Sequence, residues 1–408
     1  MRLEGNAIIA QSGGPTAVIN NSICGVIQQW FAQNTGYTIY GGVGGIKGLL
    51  DGQIIDLSKQ EIAVIDGLRY TPSAGLFSCR YKVSDDDQIK LVEIFKKLNI
   101  RYFFYNGGND SMDTAYRTYQ AAQAAGYEMC VIGVPKTVDN DLPFTDHCPG
   151  YGSAAKYLAA TVRETGMDME CISTKNKVVI TEAMGRNAGW LTAAGALARR
   201  HADDAPHLIY LPEIPFKLEK FLSDVERVYN KIGFVSIIVS EGIVNERGEY
   251  FSAGDKVDAF GHKQLSGVGV SLKNIIEDAI GISCRANTLG SAQRSAAHYA
   301  SLCDAQEAYG VGAMAVQYAM EGKNGLMVII ERLNDSPYYS QFGAVPLESV
   351  ANVEKKLPLD WITADGCDVT ADFIKYGRPL IEGRVIVPEK NGMPDYVHLD
   401  FARGKVTL

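Results

Sequence analysis

The N-terminal half of the chain repeats one pattern: a short apolar run, a glycine-rich turn, and then a segment whose apolar residues have helical spacing. In the first copy, residues 7–10 form the apolar run, residues 11–16 form the turn, and we expect a helix to begin at about Pro15. Proline suits the first turn of a helix because its φ is fixed and it has no N–H group. Repeats of this kind are typical of parallel strand–helix units and predict an α/β fold.

Further copies of the pattern follow along the chain. Strands are predicted at residues 102–105, 129–134, 178–181, 208–211 and 235–239, and helices at residues 112–125, from the 184–189 turn to residue 200, and at 218–230. Between about residues 145 and 152 the composition turns to Pro, Gly, His and Tyr, which indicates a crossing between two lobes. After about residue 346 the pattern predicts no element. We expect an α/β chain of about two to three domains, since domains average roughly 100–200 residues.

The charge balance excludes several classes of partner. Lys and Arg number 39 against 47 Asp and Glu, a net charge of −8, whereas nucleic-acid and anionic-membrane binders need a surplus of basic residues. No run approaches the roughly 18 apolar residues of a membrane span, and the N-terminus lacks a signal-peptide pattern. The eight cysteines form no close CxxC pair, so neither a zinc site nor a disulfide framework is indicated. We expect a cytoplasmic protein that binds neither nucleic acid nor membrane.

Two glycine-rich turns lie where a predicted strand gives way to a helix. The first contains Gly13 and Gly14, and the second runs from Gly107 to Ser111. Free N–H groups and the helix dipole at such positions favour a phosphate group. Either turn alone could equally be a tight turn needed for packing. Their recurrence in two units, without a GxGxxG motif, favours phosphate binding.

Acidic and basic side chains follow other predicted strands. Asp139 and Asp141 lie two positions apart, and an Asp on a strand-end loop can accept a hydroxyl proton during phosphoryl transfer. An Asx turn that caps the next segment explains the same spacing equally well. Arg186, Arg285 and Arg294 lie beside glycine-rich turns, where a guanidinium can clamp a phosphate. Any single arginine is nevertheless more often a surface charge.

Six motifs, in this order, resemble those of the phosphofructokinase family. They are QSGGPT (11–16), GGNDS (107–111), PKTVDND (135–141), EAMGRNAGW (182–190), SEG (240–242) and RANTLGSAQR (285–294). The resemblance spans about residues 5–320 and is strongest to the pyrophosphate-dependent 6-phosphofructokinases. Lipid and NAD kinases share a GGD-type loop but do not carry the MGR and TLGSAQR segments.

The resemblance implies two Rossmann-like lobes with the active site in the cleft between them. Residues 1–145 and about 293–345 would form the phosphoryl-donor lobe, and residues 146–292 the sugar-phosphate lobe. Residues 346–408 would be a C-terminal extension whose role stays open. The implied reaction transfers a phosphoryl group to the 1-hydroxyl of fructose 6-phosphate. Family members complete the sugar-phosphate site from a neighbouring subunit, which implies a homodimer or homotetramer.

The resemblance also gives roles to the residues that match the motifs. Asp139 would be the base, with Thr137 and Val138 beside it at the sugar or the transferring phosphoryl group. The residues holding the donor would be Gly13, Gly14, Arg80 and Ser111. Those holding the sugar phosphate would be Lys177, Met184, Gly185, Arg186, Glu241, Arg285 and Arg294, with Arg186 also near the transferring phosphoryl group.

The choice of donor depends on two positions, Asp110 and Lys136. ATP-using relatives carry Gly in place of Asp110 and usually Gly in place of Lys136. A carboxylate at 110 would occupy the space of a nucleotide's α-phosphate and repel it, whereas pyrophosphate ends before that point. An ammonium at 136 would stabilise charge that develops on the transferring or leaving phosphate. Asp110 could instead cap a helix opening at Ser111, and Lys136 could point to solvent.

Three positions depart from the family pattern. Asn109 stands where many relatives have an Asp associated with catalytic Mg²⁺, so the metal would be held mainly by oxygens of the donor and water. Ser291 replaces a His of some relatives, and Lys177 replaces an Arg. A looser phosphate pocket of this kind could admit a longer sugar such as sedoheptulose 7-phosphate.

The sequence therefore predicts a Mg²⁺-dependent, reversible transferase of glycolysis and gluconeogenesis. It would act as a diphosphate:D-fructose-6-phosphate 1-phosphotransferase whose partners are pyrophosphate and fructose 6-phosphate. Two alternatives stay open, an ATP-dependent 6-phosphofructokinase and a non-catalytic sugar-phosphate sensor on the same fold. Asp110 and Lys136 argue against the ATP-dependent 6-phosphofructokinase. The sensor is opposed by the presence of Asp139, Lys136 and Arg186 together.

Overall fold

The chain divides into two compact α/β units. A computed structural model describes residues 2–172, 177–251, 253–257, 263–265 and 267–407. The first unit comprises residues 1–153, 294–354 and 383–408, and the second comprises residues 154–293 and 355–382. The residues after 346 are thus divided between the two units.

The first unit is built on a seven-stranded sheet. In spatial order its strands are Tyr338–Pro346, Leu326–Asp335, Cys130–Pro135, Ile100–Gly107, Asn6–Gln11, Ile39–Gly42 and Ile54–Asp56. The five inner strands are parallel to one another, and the strand at each edge is antiparallel to the strand next to it. The helices of this unit are Ile19–Ala32, Gly45–Leu50, Ile62–Gly67, Asp85–Lys97, Asn109–Ala124, Leu302–Met320 and Leu347–Val350. A two-stranded hairpin, Glu389–Lys390 with Met393–Pro394, lies in its last segment.

The second unit has a four-stranded parallel sheet. Its strands in spatial order are Cys284–Thr288, Val178–Ala183, Val235–Ser240 and Leu208–Tyr210. Its helices are Trp190–Ala193, Leu218–Ile232, Val268–Ile280 and Ala371–Gly377, and an antiparallel pair joins Ala253–Val257 to Lys263–Leu265. The helices Tyr151–Cys171 and Ala292–Ser295 carry the chain from one unit to the other.

Both faces of the first sheet are buried, as parallel sheets require. Alternate side chains of strand Asn6–Gln11 enter different apolar clusters, with Ala7 and Ile9 on one face and Ile8 and Ala10 on the other. This is the period of two that a strand imposes. The short apolar runs of the sequence are therefore strands covered on both sides, as predicted.

Two predicted helices begin or end at least four residues from their predicted bounds. The helix expected from Pro15 begins at Ile19, because residues 15–18 form an irregular turn in which the Val18 N–H donates to Thr16 Oγ1 over 3.3 Å. The helix expected from the 184–189 turn to Arg200 is only Trp190–Ala193, followed by the 3₁₀ turn Ala194–Ala198. Short 3₁₀ pieces are common continuations of helices.

Two helices of the first unit cross at glycines. Helix Ile19–Ala32 contributes Gly25 and helix Leu302–Met320 contributes Gly312. A Cβ at either position would overlap backbone atoms of the other helix, so only glycine permits this approach.

We expect Gly312→Ala to destabilise the first unit by about 3 kcal/mol, at the upper end for overpacking, because the added methyl meets the backbone of Ser22 and not a side chain that can move. Thermal unfolding of the purified variant measures this. Gln317→Ala, on the exposed face of the same helix, is the matched control and should unfold at nearly the wild-type temperature. Equal melting temperatures for Gly312→Ala and wild type would contradict the close approach.

Candidate active site

The turn after strand Asn6–Gln11 is tied to the segment that precedes Arg80. The Gly13 N–H donates to the carbonyl of Cys79 over 3.2 Å, and Ser78 Oγ donates to the carbonyl of Gly13 over 2.7 Å. Gly13 has φ +74°, which favours glycine. Arg80 directly follows Ser78 and Cys79, the two residues that bind this turn, and it is exposed.

Arg294 reaches the same turn. A Cβ at Gly14 would lie 3.0 Å from Nη1 of Arg294. Arg294 belongs to the first unit, whereas Arg186 and Arg285 belong to the second. It lies beside the first glycine-rich turn. A guanidinium beside a glycine-rich turn suits an anionic ligand.

The second glycine-rich turn opens helix Asn109–Ala124, three residues earlier than predicted. Gly108 is the N-cap residue, and the backbone of Gly107 packs so closely on Ser111 that a Cβ there would overlap the hydroxyl. Asp110 is exposed in the first turn of the helix and is not its N-cap, so the capping alternative for Asp110 is wrong. An acidic residue in the first turn still agrees with the helix dipole.

Lys136 is buried, not directed to solvent. Its side chain follows strand Cys130–Pro135 and is 3% exposed, and Nζ donates to the carbonyl of Gly14 over 2.7 Å. A Cβ at Gly13 would be 3.3 Å from Nζ. Burial lowers the pKa of Lys136 to about 8, although Asp139 and Asp141 act to raise it. The lysine therefore joins the first glycine-rich turn to the segment that carries the two aspartates.

The segment from Thr137 to Asp141 is held by its own hydrogen bonds. The Asp139 N–H donates to Thr137 Oγ1 over 3.1 Å, and Asn140, at φ +56°, accepts from the Cys148 N–H at its side-chain oxygen over 2.9 Å. Val138 is 9% exposed. The turn that these bonds form is made by the Thr137 hydroxyl and not by an aspartate side chain, so it is not the Asx turn that the spacing suggested. It fixes the backbone beside the Asp139 carboxylate and is compatible with a role of Asp139 as base.

Asn109 and Asp141 form a polar pair next to this segment. Asn109 Nδ2 donates to Asp141 Oδ2 over 3.2 Å, and each residue has a buried Oδ1 with no hydrogen-bond partner among the described residues. Burial, with a further contribution from Asp139, raises the pKa of Asp141 to about 7. Unsatisfied buried oxygens are rare and call for an explanation. No set of three or more His, Cys, Asp or Glu side chains in the described ranges is arranged to bind a metal ion on its own.

In the second unit four of the expected residues meet at the carboxyl ends of neighbouring strands. The Gly185 N–H donates to Glu241 Oε1 over 3.4 Å, and Ser240 Oγ donates to the carbonyl of Gly185 over 2.6 Å. The Met184 N–H donates to the side chain of Gln293 over 3.0 Å. Met184, Gly185 and Glu241 are therefore brought together.

Arg186 completes this group. A Cβ at Gly242 would overlap the backbone of Arg186, which explains the glycine of the SEG motif. The Nε of Arg186 is buried without a hydrogen-bond partner in the part of the chain that is described. An unsatisfied guanidinium nitrogen at the edge of a parallel sheet is suited to an anion.

Lys177 and Arg285 lie elsewhere in the same unit. Lys177 precedes strand Val178–Ala183, and Arg285 pairs with Val179 near the start of that strand. At the usual rise per residue, the length of strand Val178–Ala183 puts Lys177 and Arg285 about 20 Å from Met184. Arg285 is exposed and its Nη1 lies 3.7 Å from Asp168 Oδ2. Within one chain, these two residues do not join the Arg186 group.

Two residues of the site were given no role of their own in the sequence analysis. Asp141 pairs with Asn109, and Gln293 holds Met184 in place. Both belong to motifs quoted above, and the alternating DND pattern was the available signal for Asp141. Gln293 had no signal of its own, because the contact joins residues more than one hundred positions apart.

Known proteins resemble this chain over almost its whole length. The model of the phosphofructokinase family matches residues 6–319. A pyrophosphate–fructose 6-phosphate 1-phosphotransferase of Halomonas elongata is 43% identical over 401 residues, covering 97% of this chain and 96% of that protein. Crystal structures of pyrophosphate-dependent phosphofructokinases from Marinobacter aquaeolei and Nitrosospira multiformis are each 42% identical, cover 99% of this chain and 98% of theirs, and give TM-scores of 0.91 and 0.92.

The fold is that of an α/β protein with two parallel-sheet units, as the sequence predicted. The chain belongs to the phosphofructokinase family. The family resemblance and the fold class are thereby confirmed. None of the helices within the described residues is long and apolar enough to cross a membrane.

Proposed function

We propose that the protein is a diphosphate:D-fructose-6-phosphate 1-phosphotransferase, an enzyme that transfers a phosphoryl group reversibly from pyrophosphate to the sugar. The observation that carries the proposal is the buried Lys136. Its ammonium contacts the first glycine-rich turn, and the residue lies three positions before Asp139 in the sequence. The names of the relatives at 42–43% identity support the same donor. The ATP-dependent alternative has no comparable observation in its favour.

In this proposal the first unit binds the donor. Gly13, Gly14, Ser111 and Arg80 hold pyrophosphate, and the Lys136 ammonium neutralises charge that develops on it in the transition state. Asp139 accepts the proton of the sugar 1-hydroxyl, and the oxygen of that hydroxyl attacks the nearer phosphorus of pyrophosphate. The bond to the bridging oxygen breaks and orthophosphate leaves. No covalent enzyme intermediate is needed.

The second unit binds the sugar. Met184, Gly185 and Glu241 contact it, and Arg186 presents its buried Nε side to a phosphate or to the transferring group. We assign the 6-phosphate to Arg294 and to Lys177 and Arg285. Since the last two lie far from Met184 in one chain, the proposal includes a homo-oligomer in which they serve a neighbouring subunit. Cytoplasmic location and use of sedoheptulose 7-phosphate stay predictions.

Mg²⁺ fits the pair of Asn109 and Asp141. Each offers a buried oxygen that lacks a partner within the described residues, and Mg²⁺ prefers one or two protein oxygens together with water and phosphate. When bound there, the ion would neutralise charge on the pyrophosphate oxygens. Asp141 would then supply the negatively charged ligand that the family motif usually has at position 109, and Asn109 would supply a neutral oxygen.

The reverse reaction tests the proposal. The purified protein with fructose 1,6-bisphosphate, orthophosphate and Mg²⁺ should form pyrophosphate and fructose 6-phosphate, because the transfer potentials of the two phosphoryl donors are comparable. Pyrophosphate that forms only when the bisphosphate is present supports the assignment. Absence of pyrophosphate at every protein concentration tested would contradict it.

A pH prediction follows from Lys136. Its cation is present below its pKa of about 8 and is lost as the pH rises through that value. We expect kcat/KM for pyrophosphate to fall about tenfold per pH unit above pH 8, whereas kcat should fall at a higher pH because bound pyrophosphate favours the cation. A kcat/KM that stays flat from pH 7 to 10 would contradict this role of Lys136.

A further inference from the structure

A histidine is buried on the chain segment that follows the two aspartates. His147 is 1% exposed, with Nδ1 2.8 Å from Asp146 Oδ2 and Nε2 2.6 Å from Glu307 Oε2. An ionised carboxylate can only accept a hydrogen bond. Both ring nitrogens therefore donate, and the side chain is an imidazolium.

Each carboxylate has further donors. Arg332 Nη2 donates to Asp146 Oδ2 over 2.9 Å, while Glu307 Oε1 accepts from the Tyr338 hydroxyl over 2.6 Å and from Ser340 Oγ over 2.7 Å. Asp146 and Glu307 thus face one imidazolium and one guanidinium, and Arg332 Nη1 also donates to a third carboxylate, Asp335 Oδ1, over 3.1 Å. We call Asp146, His147, Glu307 and Arg332 the buried ion cluster, of which His147 and Glu307 are buried and Asp146 and Arg332 are partly exposed.

Two members of the buried ion cluster, Asp146 and His147, lie on an arm of the chain that returns to the proposed base. The Thr137 N–H donates to the carbonyl of Pro149 over 3.2 Å, and the Cys148 N–H donates to Asn140 Oδ1 over 2.9 Å. Residues 137–150 therefore form a closed loop. Asp139 is on the outgoing arm, and His147 is on the returning arm.

The returning arm is fastened to one helix at two places. Helix Leu302–Met320 carries Asp304 and Glu307, three residues apart and hence on one face. Asp304 Oδ1 accepts from the Gly150 N–H over 2.8 Å, and Oδ2 accepts from the Ser153 N–H over 2.9 Å. Glu307 binds His147. The arm is fixed to the helix on both sides of Cys148.

Stability alone gives no reason for charges at this site. Replacing a buried ion pair by apolar side chains of similar volume is often neutral or stabilising, because desolvation of the charges is costly. A balanced set of directed hydrogen bonds does, however, restrict a segment to one position. We propose that the buried ion cluster is a positioning device and that His147 is a positioning residue for Asp139. The inference rests on the proposed function, because it takes Asp139 as the base.

The surrounding charges support the imidazolium. Burial alone would lower the pKa of His147, but Glu307 and Asp146 outweigh it and raise the pKa to about 9. The imidazolium in turn outweighs burial of the two carboxyls and lowers the pKa of Asp146 and of Glu307 to about 2. Within the described residues, the other titratable groups that face the cluster are Tyr151, Cys303, Asp304, Asp335 and Tyr338.

The test uses a charge-balanced variant. His147→Gln alone leaves Glu307 buried without its cation, which is expected to be strongly destabilising. His147→Gln combined with Glu307→Gln removes one positive and one negative charge and keeps side chains that can hydrogen-bond. We expect this double variant to melt within a few degrees of wild type, with kcat about tenfold lower and KM for fructose 6-phosphate within twofold. His201→Gln, at an exposed position, is the control and should match wild type.

Amide hydrogen exchange gives a readout that does not depend on activity. Amides of residues 137–141 should exchange about tenfold faster in the double variant, while those of strand Asn6–Gln11 stay unchanged. Wild-type kcat and wild-type exchange in a stable double variant would overturn the inference and leave the cluster a purely structural role. If wild type itself transfers no phosphoryl group from pyrophosphate, the proposed function fails, and exchange at residues 137–141 still decides whether the cluster holds the segment.

Discussion

Asp139→Asn is expected to lower kcat for phosphoryl transfer from pyrophosphate by about 10³-fold, within the usual range for loss of a general base. The amide keeps the size of the carboxylate but cannot accept the hydroxyl proton. The Asp139 backbone N–H still donates to Thr137 Oγ1, so the turn should persist. Initial rates at saturating substrates measure the effect.

The matched control for this variant is Asp86→Asn, at an exposed position in the first turn of helix Asp85–Lys97. It removes the same charge from the same unit and should leave kcat within twofold of wild type. The melting temperature of Asp139→Asn should also stay close to wild type. Turnover by Asp139→Asn within tenfold of wild type would rule out Asp139 as the base.

Asp110→Gly is expected to allow transfer from ATP. Asp110 is exposed in the first turn of helix Asn109–Ala124. In the donor site that we propose, a nucleotide's α-phosphate would have to lie beside this carboxylate. Removing the side chain relieves both the steric clash and the repulsion of the α-phosphate. We expect kcat/KM with ATP to rise by at least about 10²-fold over wild type, since the repulsion of close like charges costs several kcal/mol.

Asp110→Asn separates the two contributions. It removes the charge and keeps the volume, so a gain equal to that of Asp110→Gly would assign the discrimination to charge alone. A gain in Asp110→Gly only would assign it to space. If neither variant uses ATP and both still use pyrophosphate, Asp110 does not select the donor.

The glycine-rich turns could be predicted from sequence, but the orientation of single side chains could not. Lys136 follows a strand, and its position alone allows it to point to solvent; only the packing of Gly13 and Gly14 against its ammonium places it inside. The helix that opens at Asn109 likewise decides that Asp110 is not a cap. The first outcome depends on a contact between segments far apart in the chain, and the second depends on the residue at which the helix begins.

The central strands of the first sheet were predictable because they are apolar and covered on both faces. Its other strands were not predicted: Ile39–Gly42, Ile54–Asp56, Leu326–Asp335 and Tyr338–Pro346. The edge strand Tyr338–Pro346 has no buried residue, so it lacks the apolar run that marks a covered strand. Helix bounds were also less predictable than the central strands. At Pro15 the turn extends to Val18 before helical hydrogen bonds begin, and after Trp190 the chain tightens into a 3₁₀ turn. Neither change alters the spacing of apolar residues enough to be visible in the sequence.

Phosphorus NMR of the complete reaction tests the central claim most directly. The protein would be mixed with fructose 6-phosphate and Mg²⁺, with pyrophosphate in one sample and ATP at the same concentration in another. We predict that pyrophosphate is consumed and that fructose 1,6-bisphosphate and orthophosphate appear in equal amounts, while ATP is unchanged. Consumption of ATP with pyrophosphate left intact would contradict the account of Asp110 and Lys136, and silence in both samples would contradict the proposed reaction.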